Sequence, residues 1–159
     1  QSVFVYLTEA EGWLCPEVAG AYDVLPATAL QASIEAACAM LKVPVWIDQT
    51  GLGWAVRGNL QCQSTGVVFT SGQAIREPER GSSDVVWHIP RTRLVNNAVL
   101  SFEQGSVAIP PGQEQLVLGL RSYRWDKRSG VNADYVDAML IALWAATQKL
   151  PNRVFLVGT

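Results

Sequence analysis

The chain has 159 residues, of which 49% are hydrophobic, and its formal net charge is −2. This size and composition predict one globular domain with a substantial core, and no apolar run in the sequence is long enough to span a membrane. The charge argues against a generally basic nucleic-acid-binding protein but leaves room for a local basic patch. Cys15, Cys38 and Cys62 lack metal-ligand spacing and are predicted to be buried thiols in a reducing compartment.

The first third of the chain predicts a hairpin, a helix and a buried strand. The predicted strands are 2–7 and 13–24, joined by a turn at 9–12, and a helix over 28–41 follows. The apolar run 43–48 is typical of a strand buried on both faces of a parallel sheet, and it ends in an acid, Asp48.

The remainder alternates between helices and short apolar strands. The predicted helices cover 52–61, 90–104, 113–124 and 131–147, and the predicted strands cover 66–70, 85–89, 106–109 and 153–158. Residues 71–83 are polar with two glycines and are predicted to form a mobile loop or exposed hairpin beside the functional cleft. This order predicts an α/β fold with a mixed sheet and helices on both faces.

Three acids are the first candidates for chemistry. Asp48 ends a strand, and reactive groups in α/β sheets lie at the carboxyl ends of parallel strands. Asp134 and Asp137 project from one side of the first turns of helix 131–147, which Asn132 or Asp134 can cap. Two interpretations stay open: acids favoured by the helix dipole, or oxygen ligands for Mg²⁺ or Mn²⁺.

The ordered motifs resemble a known family. D-x-T-G-x-G at 48–53, W-H-I-P-R-x-x-L at 87–94 and D-x-x-D-A at 134–138 follow one another as in the nuclease domain of tailed-phage terminase large subunits. The resemblance covers roughly residues 30 to 146 and implies an RNase H/RuvC-like fold. It implies a metal-dependent endonuclease that cleaves double-stranded DNA during genome packaging, with two Mg²⁺ or Mn²⁺ ions and no side-chain nucleophile.

The resemblance also assigns roles to the acids. Asp48 matches the family's second metal-binding acid, Asp134 matches the acid that opens the last helix, and Asp137 matches an extra acid of RuvC-type resolvases. All three are therefore predicted to be catalytic metal ligands. The family's first acid lies on a central strand that precedes the equivalent of strand 2–7, and this sequence has no such strand before Gln1.

Basic and amide side chains near these motifs are candidates for DNA contacts. Such contacts hold the phosphate backbone without reading sequence. The predicted DNA-binding residues are Arg57, Arg91, Lys127, Arg128 and Asn132.

The resemblance implies a wider biological setting. The chain is expected to be a fragment that follows an ATPase motor domain, with the small terminase subunit and the portal as partners, in the cytoplasm of an infected bacterium. Two alternatives share the fold: a dimeric Holliday-junction resolvase, and a catalytically inactive domain that binds DNA or docks to proteins.

The missing first strand leads to a structural prediction. A central slot without a strand would leave unpaired backbone groups inside the sheet. Residues 153–158, RVFLVG, have the composition to fill that slot. We therefore expect the C-terminal strand to lie between strands 2–7 and 43–48, as in a circular permutation.

Overall fold

The structure is a computed structural model that describes residues 2–22, 25–42, 45–50, 53–79, 84–124, 132–148 and 155–158. Its strands are β1 (Ser2–Ala10), β2 (Trp13–Tyr22), β3 (Val45–Asp48), β4 (Ser64–Thr70), β5 (Val86–Pro90) and β6 (Phe155–Gly158). Its helices are α1 (Ala27–Leu41), α2 (Gly53–Arg57), α3 (Arg91–Glu103), α4 (Glu114–Ser122) and α5 (Ala133–Thr147).

The strands form one mixed sheet in the order β2-β1-β6-β3-β4-β5. β1 pairs antiparallel with β2 and with β6, whereas β6, β3, β4 and β5 run parallel to one another. The β1–β2 turn places Glu11 and Gly12 at φ angles of 53° and 84°. Two successive residues with positive φ are typical of the tight hairpin turn that matches strand twist.

The C-terminal strand occupies the slot predicted for it. Leu156 of β6 is in register with Val5 of β1 on one side and with Trp46 of β3 on the other. The prediction of a C-terminal strand in the central position is therefore confirmed.

Helices cover both faces of the sheet, as predicted. Alternate residues of β1 separate two cores: Val3 and Val5 belong to the core beneath α3, α4 and α5, while Phe4 belongs to the core beneath α1 and α2. Trp46 and Val67 face the α5 side, and Val45 and Ile47 face the α1 side. The mixed α/β class is thus confirmed.

α5 is more deeply buried than its apolar pattern predicts. Every residue from Tyr135 to Leu143 is buried, so this helix fills the centre of one layer and has no broad solvated face. Among the described helices, none is long and apolar enough to cross a membrane.

Two predicted elements are wrong in part. Residues 106–109 make only a single bridge, between Val107 and Leu14, because Pro16 lies two residues further along β2 and has no N–H to continue a ladder. The helix predicted over 52–61 ends at Arg57, since Gly58 and Asn59 are weak helix formers and lie in a turn.

Candidate functional site

Asp48 is a buried carboxylate at the carboxyl end of β3. Asp48 is only 1% exposed, and its Oδ1 accepts a 2.7 Å hydrogen bond from the backbone N–H of Thr50. Because side chains alternate along a strand, Asp48 lies on the same sheet face as Trp46, which is the face covered by α5. The strand end therefore presents this acid towards the α5 side.

Gly53 fixes how closely α2 approaches Asp48. A Cβ atom built on Gly53 would lie 1.8 Å from the carbonyl oxygen of Asp48 and 3.1 Å from Ile47 Cγ2. Only glycine permits this approach, so the glycine of the D-x-T-G-x-G segment sets the backbone geometry at the strand end.

We expect Gly53→Ala to destabilise the fold by about 3 kcal/mol, the upper range for overpacking, because its new methyl group meets backbone that cannot rotate away. Gly58→Ala is the matched control: its Cβ would lie 3.5 Å from the nearest atom, the Trp54 carbonyl oxygen. That control should be neutral or slightly stabilising. Urea unfolding of both variants measures the difference, and equal stabilities would refute the close-packing argument.

Asp137 lies in a buried cluster with Arg91 and Tyr123. Its Oδ1 accepts hydrogen bonds from Arg91 Nη1 at 2.6 Å and from the Tyr123 hydroxyl at 2.5 Å. Arg91 Nη1 also donates to the Tyr123 oxygen at 2.7 Å. Both charged side chains are largely buried, at 12% and 5% exposure, so the ion pair is shielded from solvent.

The cluster shifts the acidity of its members. Burial, followed by the charge of Asp137, raises the pKa of Tyr123 well above its usual value. Burial lowers the pKa of Arg91, but the charge and hydrogen bond of Asp137 outweigh it and the net direction is upward. Arg91 therefore stays charged and Tyr123 stays protonated at neutral pH.

A continuous chain of contacts joins Asp48 to Asp137. Thr50, whose N–H binds Asp48, accepts through Oγ1 a 3.1 Å hydrogen bond from the Phe69 backbone N–H. The Arg91 guanidinium lies 4.4 Å from the centroid of the Phe69 ring and binds Asp137. The two buried acids thus lie at the same edge of the sheet and on the same face, as the strand-end argument predicts.

Asp134 and Asn132 lie at the start of α5. Asp134 is half-buried in the first turn, one turn before Asp137. Asn132 precedes the helix at a φ of 60°, but its side-chain amide donates to Gln115 of α4 at the backbone oxygen and at Oε1. Asn132 consequently joins α4 to α5, and of the two predicted caps, Asn132 or Asp134, the Asn132 side chain does not cap α5.

The carboxylate oxygens at this edge are suitable ligands for a hard cation, but the described residues do not form a complete metal-binding site. Asp48 and Asp134 offer oxygen ligands, as Mg²⁺ and Mn²⁺ prefer. Within the described ranges, however, no group of three or more His, Cys, Asp and Glu side chains is arranged to hold a metal ion.

The residues predicted to contact DNA lie at different ends of the strands and have different partners. Arg57 donates to the Ser64 and Val85 carbonyl oxygens and pairs with Asp84, so it ties α2 to the amino ends of β4 and β5, away from Asp48. Arg91 lies at the Asp48 edge but is bound to Asp137. The predicted contacts of Lys127 and Arg128 fall outside the described residues.

The segment after β4 is exposed and pairs with β5. Within its described part, residues 71–79, Arg76 and His88 exchange backbone hydrogen bonds of 2.9 and 3.0 Å. Ile75 packs against the main core, and most of the neighbouring side chains are exposed. The predicted exposure is confirmed for residues 71–79, whose described ladder contact with β5 is the single antiparallel bridge between Arg76 and His88.

Two contributors to this edge were not identified from the sequence. Tyr123 follows α4 and Phe69 lies in β4, and each has the composition of an ordinary core residue. Only the strand register, which places Phe69 beside Ile89, two residues before Arg91, could have indicated the contact.

Comparison with known proteins finds no match to this chain among protein-family models, curated proteins or solved structures.

Proposed function

We propose that the chain is an RNase H-like nuclease domain of the terminase type, which cleaves double-stranded DNA with the help of divalent cations. One observation carries the proposal: a buried carboxylate, Asp48, ends a parallel strand on the sheet face that α5 covers, and α5 carries Asp134 and Asp137 in its first turns. This is the arrangement that the sequence resemblance implies for the family's acids.

The sheet order supports the same proposal. An antiparallel hairpin adjoins a central strand, and parallel strands continue on its other side. If β6 takes the role of the family's first strand, this order would correspond to a circularly permuted RNase H-like sheet.

The described side chains have distinct roles in this proposal. Asp48 and Asp134 would bind the cation, which when bound activates water and stabilises the leaving oxygen of the phosphodiester. Asp137 is a positioning residue, because its Oδ1 accepts hydrogen bonds from Arg91 and Tyr123 and so holds these two donors in place. Thr50 restrains the Asp48 carboxylate, and Arg91 supplies positive charge beside the acids.

A catalytically inactive RNase H-like domain that binds DNA is the second candidate. It is favoured because Arg91 already neutralises Asp137 and because the described donors do not complete a metal site. The resolvase alternative rested on Asp137 as an additional metal ligand, and the ion pair with Arg91 weakens that reason. A motor domain, a small terminase subunit and a portal remain proposed partners.

We expect Asp48→Asn to abolish Mn²⁺-dependent cleavage of supercoiled plasmid while circular dichroism and thermal unfolding remain as in the wild type. The isosteric amide keeps the turn but removes the charge that binds a cation. Glu103→Gln is the control, because this exposed acid lies at the far end of α3. It should cleave as the wild type does.

The outcomes separate the two candidates. Cleavage retained by Asp48→Asn removes Asp48 from the mechanism. If the wild type cleaves nothing with Mn²⁺ or Mg²⁺ but binds duplex DNA in a salt-dependent manner, the nuclease proposal fails and the inactive domain is supported.

A further inference from the structure

Three successive contacts join α1 to the segment that leads into β4. Gln31 Nε2 donates to the Asn59 carbonyl oxygen at 2.8 Å, and Glu35 Oε1 accepts from the Gln61 backbone N–H at 3.0 Å. One turn further along α1, Cys38 follows on the same face as Gln31 and Glu35, and it packs with Cys62 against the smaller core. Positions 31, 35 and 38 share one helix face, so the two cysteines meet because the flanking contacts hold their backbones together.

The thiol pair lies at the border of the smaller core. Both side chains are half-buried and pack against the cluster that contains Ile34 and Val56. The prediction that all three cysteines are buried is therefore wrong: the smaller core ends at α1 and leaves this pair within reach of a small thiol reagent. Cys15 is also half-buried but lies in β2, where its thiol contacts the Trp13 carbonyl oxygen.

We propose that Cys38 and Cys62 form a redox modification site, in which glutathione disulfide converts the two thiols to an intrachain disulfide. In the first step one protein sulfur forms a bond to a glutathione sulfur, the glutathione S–S bond breaks, and one reduced glutathione leaves. In the second step the other protein sulfur displaces the bound glutathione. Two protein thiols are oxidised, and one glutathione disulfide is reduced to two glutathione thiols.

Burial slows attack by Cys62. Burial, followed by the hydrogen bond to Cys38, raises the pKa of Cys62 to about 11. Because the thiolate is the attacking species, the raised pKa lowers the rate of exchange at Cys62. Either cysteine can undergo the first exchange, and the other then resolves the mixed disulfide from its position beside it.

The cross-link would tie α1 covalently to the start of β4. It closes a loop that contains β3 and α2, and closing such a loop restricts the unfolded chain. The oxidised protein should therefore melt at a higher temperature than the reduced protein. Disulfide formation does not depend on nuclease activity, because Cys38 and Cys62 lie on the face of the sheet opposite α5 and the proposed metal-binding acids.

The test is oxidation of the folded protein in glutathione buffers of increasing disulfide fraction, followed by alkylation of free thiols and intact-mass and peptide mass spectrometry. The wild type and Cys15→Ser should lose two hydrogen atoms and yield a Cys38–Cys62 linked peptide pair. Cys62→Ser and Cys38→Ser should each stop at a glutathione adduct on the remaining cysteine of the pair. Thermal unfolding of oxidised and reduced wild type measures the expected rise in Tm.

Three results would overturn the proposal. One is a wild type that stays reduced or carries only glutathione adducts in strongly oxidising buffer. Another is an intrachain disulfide that includes Cys15 to the same extent. The third is a Cys38–Cys62 disulfide that forms only after denaturant is added. That result would show that the contact between the two cysteines in the folded protein does not promote the reaction. Cys38→Ala and Cys62→Ala repeat the test if a serine variant fails to fold.

Discussion

Deleting residues 155–159 should abolish the cooperative unfolding transition of the chain. β6 pairs with β1 on one side and β3 on the other, so its loss separates the hairpin from the parallel strands. The freed backbone groups lie inside the sheet, where each unsatisfied group costs about 1–3 kcal/mol. Several such groups together approach the whole stability of a domain, about 5–15 kcal/mol.

A pair of point variants tests the same prediction with the chain length unchanged. Leu156→Pro removes a backbone N–H in the middle of β6, whereas Leu156→Ala retains it. The proline variant should unfold without a cooperative transition, and the alanine variant should keep one at lower denaturant concentration. A deletion variant that unfolds as sharply as the wild type would show that β6 is not the central strand in solution.

The order of elements was predictable because it depends on local signals. Apolar runs, glycines and prolines mark the strands and helices along the chain, and they placed β3, β4, β5, α1, α3 and α5 close to their observed bounds. The central position of β6 was predicted from the family resemblance, which implies a central strand beside strand 2–7, together with the requirement that backbone groups inside a sheet be paired. Residues 106–109 were misassigned because Pro16, distant in sequence, limits their pairing to one bridge.

The site was less predictable because its contacts cross between elements. A strand-end acid and two acids at a helix start can be read from sequence, and the structure places Asp48 and Asp137 at one edge. The binding of Asp137 to Arg91 and Tyr123 depends on how α3 and α4 are oriented against α5. The sequence shows that Arg57 is basic, but its hydrogen bonds to backbone carbonyl groups form only in the folded chain and could not be predicted.

Arg91→Ala should lower the free energy of unfolding by about 3–5 kcal/mol, the usual cost of leaving one partner of a buried ion pair without the other. Asp137 is 4% exposed, so water replaces the lost guanidinium only poorly. The variant also loses the contact between the cation and the Phe69 ring, which adds about 0.5–2 kcal/mol in comparable settings. Arg93→Ala, in the same turn but exposed, should change stability by less than about 0.5 kcal/mol.

The double variant Arg91→Met/Asp137→Leu separates the ion pair from simple loss of packing. Removing both charges together eliminates the uncompensated carboxylate, so the double variant should be more stable than the matched single variant Arg91→Met and close to the wild type. Urea unfolding at one pH gives the free energies of the wild type, Arg91→Met, Asp137→Leu and the double variant. If Arg91→Met and the double variant were equally destabilised, changed packing rather than an unpaired charge would account for the effect. If neither differed from the wild type, the buried cluster would not contribute to stability.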